Sequence, residues 1–369
     1  MLERIGRRAG DPLLAAVQML LLALGLAALF SASHFYAERV FQDPYHLVKR
    51  QLSFALIGLA ACGLCARAPL ALVRKATPVL LAVAFLLCLA TFLPGLGRPV
   101  LGARRWIFLF GQSFEPLELA KLAVVLYLAS ILAKKQERMD DPFNSLIPPL
   151  IVVLAFAGVV YLQKDFSTAV FLLVIALCMF LMAQVRLLYF ILLALLFLPL
   201  GGLLLFTQAY RVERLIAFFN PLADPAGSGY QLIAARSALV GGGLWGRGLG
   251  RGVKSLGVLP EAHSDFIFAV IGEEAGFLGV LFVLFLFILF AWRGYAVAYR
   301  AQDAFSAFLA FGLTTTIFLQ ALLNFAVVTG LVPSTGIPLP FISAGGSCLV
   351  TSLAMSGLLL NLSRQKEAG

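Results

Sequence analysis

Long apolar runs recur from one end of this chain to the other, and no other feature narrows its folding options as much. Hydrocarbon offers no partner for backbone N–H and C=O groups, so an apolar run of about 20 residues in a membrane is helical. Ten such stretches are predicted, near 13–32, 52–68, 77–94, 117–133, 146–162, 168–184, 187–207, 266–292, 304–328 and 341–362. Of the 369 residues, 61% are hydrophobic and 12% charged, with a mean hydropathy of +0.97. Soluble domains are about half apolar and a quarter charged. The expected fold class is an all-α polytopic membrane protein forming one transmembrane domain over 1–369. The basic Met1–Gly10 precedes an apolar run too long for a signal-peptide core, so that run reads as the first span.

Short-loop Lys and Arg set the orientation. Arg4, Arg7 and Arg8 place the N-terminus in the cytoplasm, and ten spans return the C-terminus, with Arg364 and Lys366, to the same side. The net charge of +10 is not read as nucleic-acid binding, because the basic residues sit in short loops between spans. Two outer loops depart from the charge rule. One carries Arg98, Arg104 and Arg105; the other, a large loop over 208–265 between spans seven and eight, carries Arg211, Arg214, Arg236, Arg247, Arg251 and Lys254. Guanidinium groups gathered on one face suit an anionic, phosphate-bearing ligand, and equally suit snorkelling into headgroups. Within the large loop, Tyr230–Val240 is predicted as a short helix, and the glycine run from Gly241 to Gly252 as backbone able to approach a ligand closely. Its G-x-G spacing follows no strand, so it is not a nucleotide loop. Cys62 and Cys65, buried in an apolar stretch, read as inert.

Against this background Leu259–Gly279, LPEAHSDFIFAVIGEEAGFLG, concentrates Glu261, His263, Asp265, Glu273 and Glu274. Glu261, His263 and Asp265 alternate, so an extended backbone would point all three the same way. Ser264 or Asp265 is predicted to N-cap a helix starting at Phe266. Glu273 would then lie two turns on, roughly 12 Å along the same face. An acid at the watery mouth of a hydrophobic helix suits a reactive site, while the same residues suit a cap and a loop-bracing histidine. Spacing alone leaves both open.

Polar groups inside a membrane are costly and are usually paired or functional. Glu118 and Lys121, three apart, are predicted to form a salt bridge on one helix face, and Gln320 and Asn324, four apart, to hydrogen-bond across helices. Asp165 reads as a cap in a tight outer turn. Gly336–Ser347 reads as a Pro-broken, re-entrant segment whose Ser343 and Ser347 face a polar cavity.

These blocks resemble the SEDS (shape, elongation, division, sporulation) family of membrane peptidoglycan glycosyltransferases over nearly the whole chain. LPEAHSDFIFAVIGEE is the most specific block. GARRWI at 102–107, EPLELAKL at 115–122, YRVERLIAFFNPLADPAGSGYQ at 210–231, GGLWGRGLG at 242–250 and STGIPLPFISAGGS at 334–347 follow the family's other blocks in order, with SAS at 31–33 and KRQL at 49–52. The PEAH wording, GLGRGVK and GSGYQ are more similar to the division-type (FtsW) branch than to the elongation-type (RodA) branch. Departures are Lys164 where the family usually has proline, Arg236-Ser237 in place of a QS pair, Ala344 in place of Tyr, and Cys348 in place of Ser.

The resemblance implies polymerisation of lipid II at the outer face of the bacterial cytoplasmic (inner) membrane, at the septum for a division-type member. Asp265 matches the family's essential Asp and would be the general base. Arg104, Arg105, Arg211, Arg214 and Lys254 would neutralise the departing diphosphate, with a divalent cation (Mg or Mn) as a candidate helper. From the alternation, Glu261 and His263 would orient Asp265 or help it hold that cation. Glu118 and Lys121 would brace the cavity and Trp106 contact lipid or sugar, while Ser343, Gly345, Gly346 and Ser347 would support the site. The implied partners are a class B penicillin-binding protein transpeptidase and divisome membrane proteins. A precursor-flipping transporter is the rival reading; it would call for internal repeats, and none is visible between the two halves. A pure scaffold would leave the acids around Asp265 without a role.

Overall fold

The computed structural model describes residues 10–100, 102–109, 111–136, 146–252 and 262–364; Lys254 and Glu261 lie outside the described residues. Asp11 opens the first helix by accepting hydrogen bonds from the backbone N–H of Leu13 and Leu14, with Pro12 at the first helical position. The long elements are α1 (Pro12–Phe41), α2 (His46–Cys65), α3 (Leu70–Ala90), α4 (Pro116–Lys135), α5 (Ile147–Leu162), α6 (Phe166–Met182) and α7 (Leu187–Phe206). Then come α8 (Ala209–Phe219), α9 (Tyr230–Gly242), α10 (Ile267–Tyr299), α11 (Ala304–Thr329) and α12 (Gly346–Leu362). Each of the ten predicted stretches is helical over most of its length. Seven, α1–α4, α7, α10 and α11, are long and apolar enough to cross a membrane, while α5, α6 and α12 have 16, 17 and 17 residues.

Helices α4 and α11 form the interior, and α12 packs along α2. That last contact is close enough to exclude side chains. A Cβ added at Gly357 would stand 2.3 Å from the Cys62 carbonyl oxygen, and one at Gly58 would stand 2.6 Å from Leu353 Cδ1. Small residues thus let two helices approach backbone to backbone, as membrane packing favours. The apolar faces of α3 and α7 point outward, with Leu72, Val79, Leu195 and Leu203 all more than half exposed.

One element departs from the all-helical expectation. Between α3 and α4 the chain forms a small antiparallel sheet of β1 (Gly97–Val100), β2 (Ala103–Leu109) and β3 (Gln112–Phe114), with Arg98 opposite Trp106 and Ile107 opposite Phe114. Gly102 and Gly111, at φ +79° and +77°, make its turns. Neighbours on a strand point to opposite faces, so Arg105 and Trp106 are separated by the pleat.

The glycine run does approach a backbone closely, but that of α10 rather than of a ligand. Helix α10 is interrupted at Gly276 (φ 68°, ψ −167°), and the N–H groups of Arg247 and Gly248 donate to the carbonyls of Glu273 and Glu274 at 3.0 Å. A Cβ at Gly246 would stand 2.1 Å from the Glu274 carbonyl oxygen. The Glu274 carboxylate accepts from Ser31 of the SAS block, and Glu273 pairs with Arg247 at 3.5 Å. These acids hold a strap across a break in α10. They do not continue the Asp265 site inward, as the two-turn spacing suggested.

Candidate active site

Asp265 sits in a turn over 262–266, and α10 starts at Ile267 with no side-chain cap. The helix starts one residue later than predicted, with Phe266 rather than Ser264 or Asp265 at the N-cap position. The turn is held by backbone contacts from far away in sequence. Asn324 Nδ2 donates to the Asp265 carbonyl at 3.0 Å, Ser343 Oγ donates to the Ser264 carbonyl at 2.6 Å, and the Ala344 N–H donates to the His263 carbonyl at 2.9 Å. Asp265 Oδ2 lies over Gly336: a Cβ there would be 3.5 Å away, and φ +73° already reserves the position for glycine.

Of the 336–347 segment expected to be re-entrant, the backbone is non-helical as far as Gly345 and mostly buried from Ile337 to Ser343. Ser343 and Ser347 do not line the cavity described below. Ser343 also accepts from the Leu339 N–H, and Ser347 Oγ accepts from the Glu115 N–H at 2.9 Å. The Gly345 N–H donates to Gln51 Oε1, and Gly346 packs under the Phe54 ring. Ser343, Gly345, Gly346 and Ser347 are scaffolding for the Asp265 turn. Because the contact of Ala344 to that turn is made by its backbone, the departure from Tyr leaves it intact.

Inside the bundle Lys121 Nζ donates to Glu118 at 2.9 Å and to Gln320 Oε1 at 2.7 Å. Gln320 Nε2 passes the chain to the Pro338 carbonyl at 2.9 Å, and Asn324, one turn on, donates to the Ile337 carbonyl at 3.0 Å. The Glu118–Lys121 pair is formed as predicted and Gln320 bonds across to Lys121 of α4, while Asn324 bonds loop carbonyls instead of a helix; together they brace the segment that carries Gly336 beneath Asp265.

Arg105 provides the charged link. Its NH1 pairs with Asp165 Oδ2 at 3.0 Å, while its buried Nε has no partner. Burial pulls the guanidinium down, but Asp165, Glu115 and then Asp265 outweigh it and hold Arg105 above its ordinary value. Asp165 meanwhile caps α6 through the Thr168 N–H and hydroxyl, as expected of it. Burial first, and then the neighbouring Glu118, push the Glu115 carboxyl up to about 8. Glu115 and Arg105's pairing with Asp165 were not singled out from sequence; the only cue was Glu115's place just before Pro116.

A cavity of about 1060 Å³ opens beside this cluster, bounded by β2, α6, α8, α11 and the 332–335 segment. Arg105, Lys164, Arg214 and Tyr230 contribute to its polar part, and Val170, Val174, Leu319 and Leu323 to an apolar part. From Ala326 to Leu319 the lining of α11 runs roughly 10 Å along the helix. Asp265 is not itself a lining residue. Its Oδ2 lies over Gly336, the residue after the lining Thr335, whose hydroxyl is buried without a partner.

The other predicted site residues fall elsewhere. Arg211 borders the cavity but is only 7% exposed, with its guanidinium 4.6 Å from the Tyr161 ring and bonded to the Leu204 carbonyl and Tyr210 hydroxyl. It holds α8 down. Arg214 is exposed at the rim, Arg104 is exposed off the cavity, and Trp106 faces away from it. Arg236 caps the end of α11 at the Gly330 carbonyl, 3.1 Å away, which gives that departure a local role. His263 stacks on Tyr36 with ring centres 5.0 Å apart. Among the described residues no group of three or more His, Cys, Asp or Glu could hold a metal ion between them.

Comparison with known proteins finds similarity along nearly the whole chain. A relative from Geobacter sp. (strain M18), named "Probable peptidoglycan glycosyltransferase FtsW", is 40% identical over 96% of each chain. Stage V sporulation protein E of Bacillus subtilis is 37% identical over 96% of this chain and 97% of its own. A solved structure described as "Structural coordination of polymerization and crosslinking by a peptidoglycan synthase complex" superposes with a TM-score of 0.79 at 28% identity, covering 97% of this chain and 98% of that one. The family description for the FtsW/RodA/SpoVE cell cycle proteins matches residues 11–368, and the chain belongs to that family.

Proposed function

We propose that this protein is a peptidoglycan glycosyltransferase that polymerises lipid II into glycan strands, with Asp265 as general base. The observation that carries the reading is a half-buried acid, its turn held by α11 and by the 336–344 segment, close to a cationic cavity that continues into an apolar groove. Glycan transfer needs a base for the attacking sugar hydroxyl and positive charge for the leaving diphosphate. Asp265 supplies the first; Arg105, Lys164 and Arg214 are placed for the second, and the apolar groove suits a polyprenyl chain. Asp265 with a diphosphate would meet the usual demand of Mg²⁺ for one or two carboxylates plus phosphate oxygens. A relative named as a glycosyltransferase of the division type supports septal synthesis in the cytoplasmic membrane. The neighbour described as a synthase complex supports a class B penicillin-binding protein as partner, within a set of divisome membrane proteins. The orientation that goes with this reading has ten spans, both termini in the cytoplasm and the 208–265 loop outside.

The test is reconstitution of the purified protein with its cognate transpeptidase and lipid II, with and without Mg²⁺ or Mn²⁺, followed by glycan gels. Polymer is expected from the complex. Absence of polymer together with lipid II translocation in vesicles would replace this reading by a transporter.

A further inference from the structure

A second cavity, of about 490 Å³, lies at the opposite end of the bundle from Asp265. It is enclosed by the first turns of α3, the last turns of α4 and the start of α11. Three cations, Arg74, Lys75 and Lys134, line it. None of the three forms an ion pair among the described residues. The carboxylate in the lining, Asp303, is already occupied as the cap of α11: it accepts from the Ser306 N–H at 3.0 Å and the Ser306 hydroxyl at 2.6 Å. The Arg74 guanidinium lies over the Phe305 ring, 5.3 Å from its centre. A guanidinium stacked in this way keeps its in-plane N–H donors for an acceptor.

Arg74, Lys75 and Lys134, all exposed, outnumber the one carboxylate of the lining, and an anion relieves the excess positive charge around this small cavity. The rest of the lining says what kind. Leu70, Pro78 and Phe305 are apolar, Ser130 adds a hydroxyl, and the adjoining face of α3 is exposed and apolar, with Leu72 at 59% and Val79 at 66%. We propose that this cavity binds a phosphate group, supplied by the headgroup of an anionic phospholipid whose acyl chains lie along α3. In the orientation given above the leaflet is the cytoplasmic one, where basic pockets between spans meet anionic headgroups. Such a lipid would tie α3 to α4 and α11, the two helices that carry the brace beneath Asp265.

The probes are phosphatidylglycerol, phosphatidylcholine and inorganic phosphate, added to purified full-length protein in a neutral detergent. The readouts are lipid retained in native mass spectra and the thermal midpoint. Wild type should retain phosphatidylglycerol over phosphatidylcholine and gain a higher midpoint from it. The Arg74→Gln/Lys134→Gln protein should lose that preference by about tenfold or more. Arg67→Gln/Arg300→Gln removes the same charge elsewhere and should keep the preference, as should the charge-preserving Arg74→Lys/Lys134→Arg protein. If inorganic phosphate protects wild type as well as the lipid does, and the Gln protein loses it, the phosphate site stands and its source is the free anion. Equal phosphatidylglycerol binding by wild type and the Arg74→Gln/Lys134→Gln protein overturns the proposal.

Discussion

Two charged clusters that come within three residues of each other on the chain, at Glu115 and Glu118, behave in opposite ways. Glu118, Lys121 and Gln320 form a closed set in which Lys121 has a carboxylate and an amide oxygen and Gln320 hands on to a carbonyl. Arg105, Asp165, Glu115 and Asp265 form an open one: Arg105 Nε lacks a partner, as does the Thr335 hydroxyl in the wall next to Asp265, and a large cavity adjoins. A satisfied buried network fixes geometry, whereas an unsatisfied one beside a cavity holds polar capacity for a substrate. The contrast assigns bracing to the first cluster and chemistry to the second.

Removing one partner from the closed cluster should cost most. Lys121→Met leaves Glu118 buried and uncompensated, an expected loss of about 3–5 kcal/mol in detergent melts. Adding Glu118→Gln should restore much of it. Recovery of the fold without recovery of polymerisation would show that Lys121 also acts in the chemistry, and would blur the comparison.

In the open cluster the sign should be reversed, with fold retained and activity lost. Arg105→Gln is expected to lower polymerisation by about 10²–10³-fold, the usual cost of one charge-stabilising donor, with a melting midpoint near wild type. A large drop in midpoint would move Arg105 into the brace, through its pairing with Asp165.

The turn that holds Asp165 sharpens the comparison at the backbone. Lys164 adopts φ +66° and its N–H donates to the Tyr161 carbonyl at 3.0 Å. Proline can do neither, so this turn differs from one that carries the usual family proline. Lys164→Gly should raise stability by about 1 kcal/mol and Lys164→Pro should lower it by more. Equal stability of the two proteins would mean that the left-handed turn is not maintained.

A pH dependence is expected as well. The Glu115 carboxyl titrates higher in the folded protein than in the unfolded chain, near 8 rather than 4.5. The folded state therefore binds its proton more tightly, so this stabilisation is full below about 4.5 and fades as pH rises through 8. Glu115→Gln should flatten that part of the stability profile in melts between pH 5 and 9, chosen to span roughly that window.

What the sequence allowed, and where it stopped, follows the same line between local and distant contacts. The helices, the Glu118–Lys121 pair and the Asp165 cap are all set by spacings of three or four residues, whereas Gln320 and Asn324, four apart, bond distant segments rather than each other. The strap of glycines over α10, the aromatic seat of Arg211 and the burial of Ser343 and Ser347 depend on segments far apart in the chain; the Ser343–Ser264 bond spans 79 residues. Residue types there are legible, but the partner is not, so a serine bonded to a carbonyl and a serine facing a cavity read alike. The small sheet was overlooked because three strands this short leave little periodicity beside ten apolar runs. Asp265 stands out by its spacing and by motif resemblance, while the contacts that hold its turn come from Asn324 and Ser343, far away in the chain.

The central claim, that Asp265 does chemistry while the closed cluster beneath it bears the structure, is tested most directly by Asp265→Asn. The amide keeps the shape and the backbone bond from Asn324, so folding and complex formation should match wild type. The account predicts no glycan polymer from that protein with its cognate transpeptidase and lipid II, beside strong polymer from wild type. Polymer at the wild-type level from Asp265→Asn would contradict it.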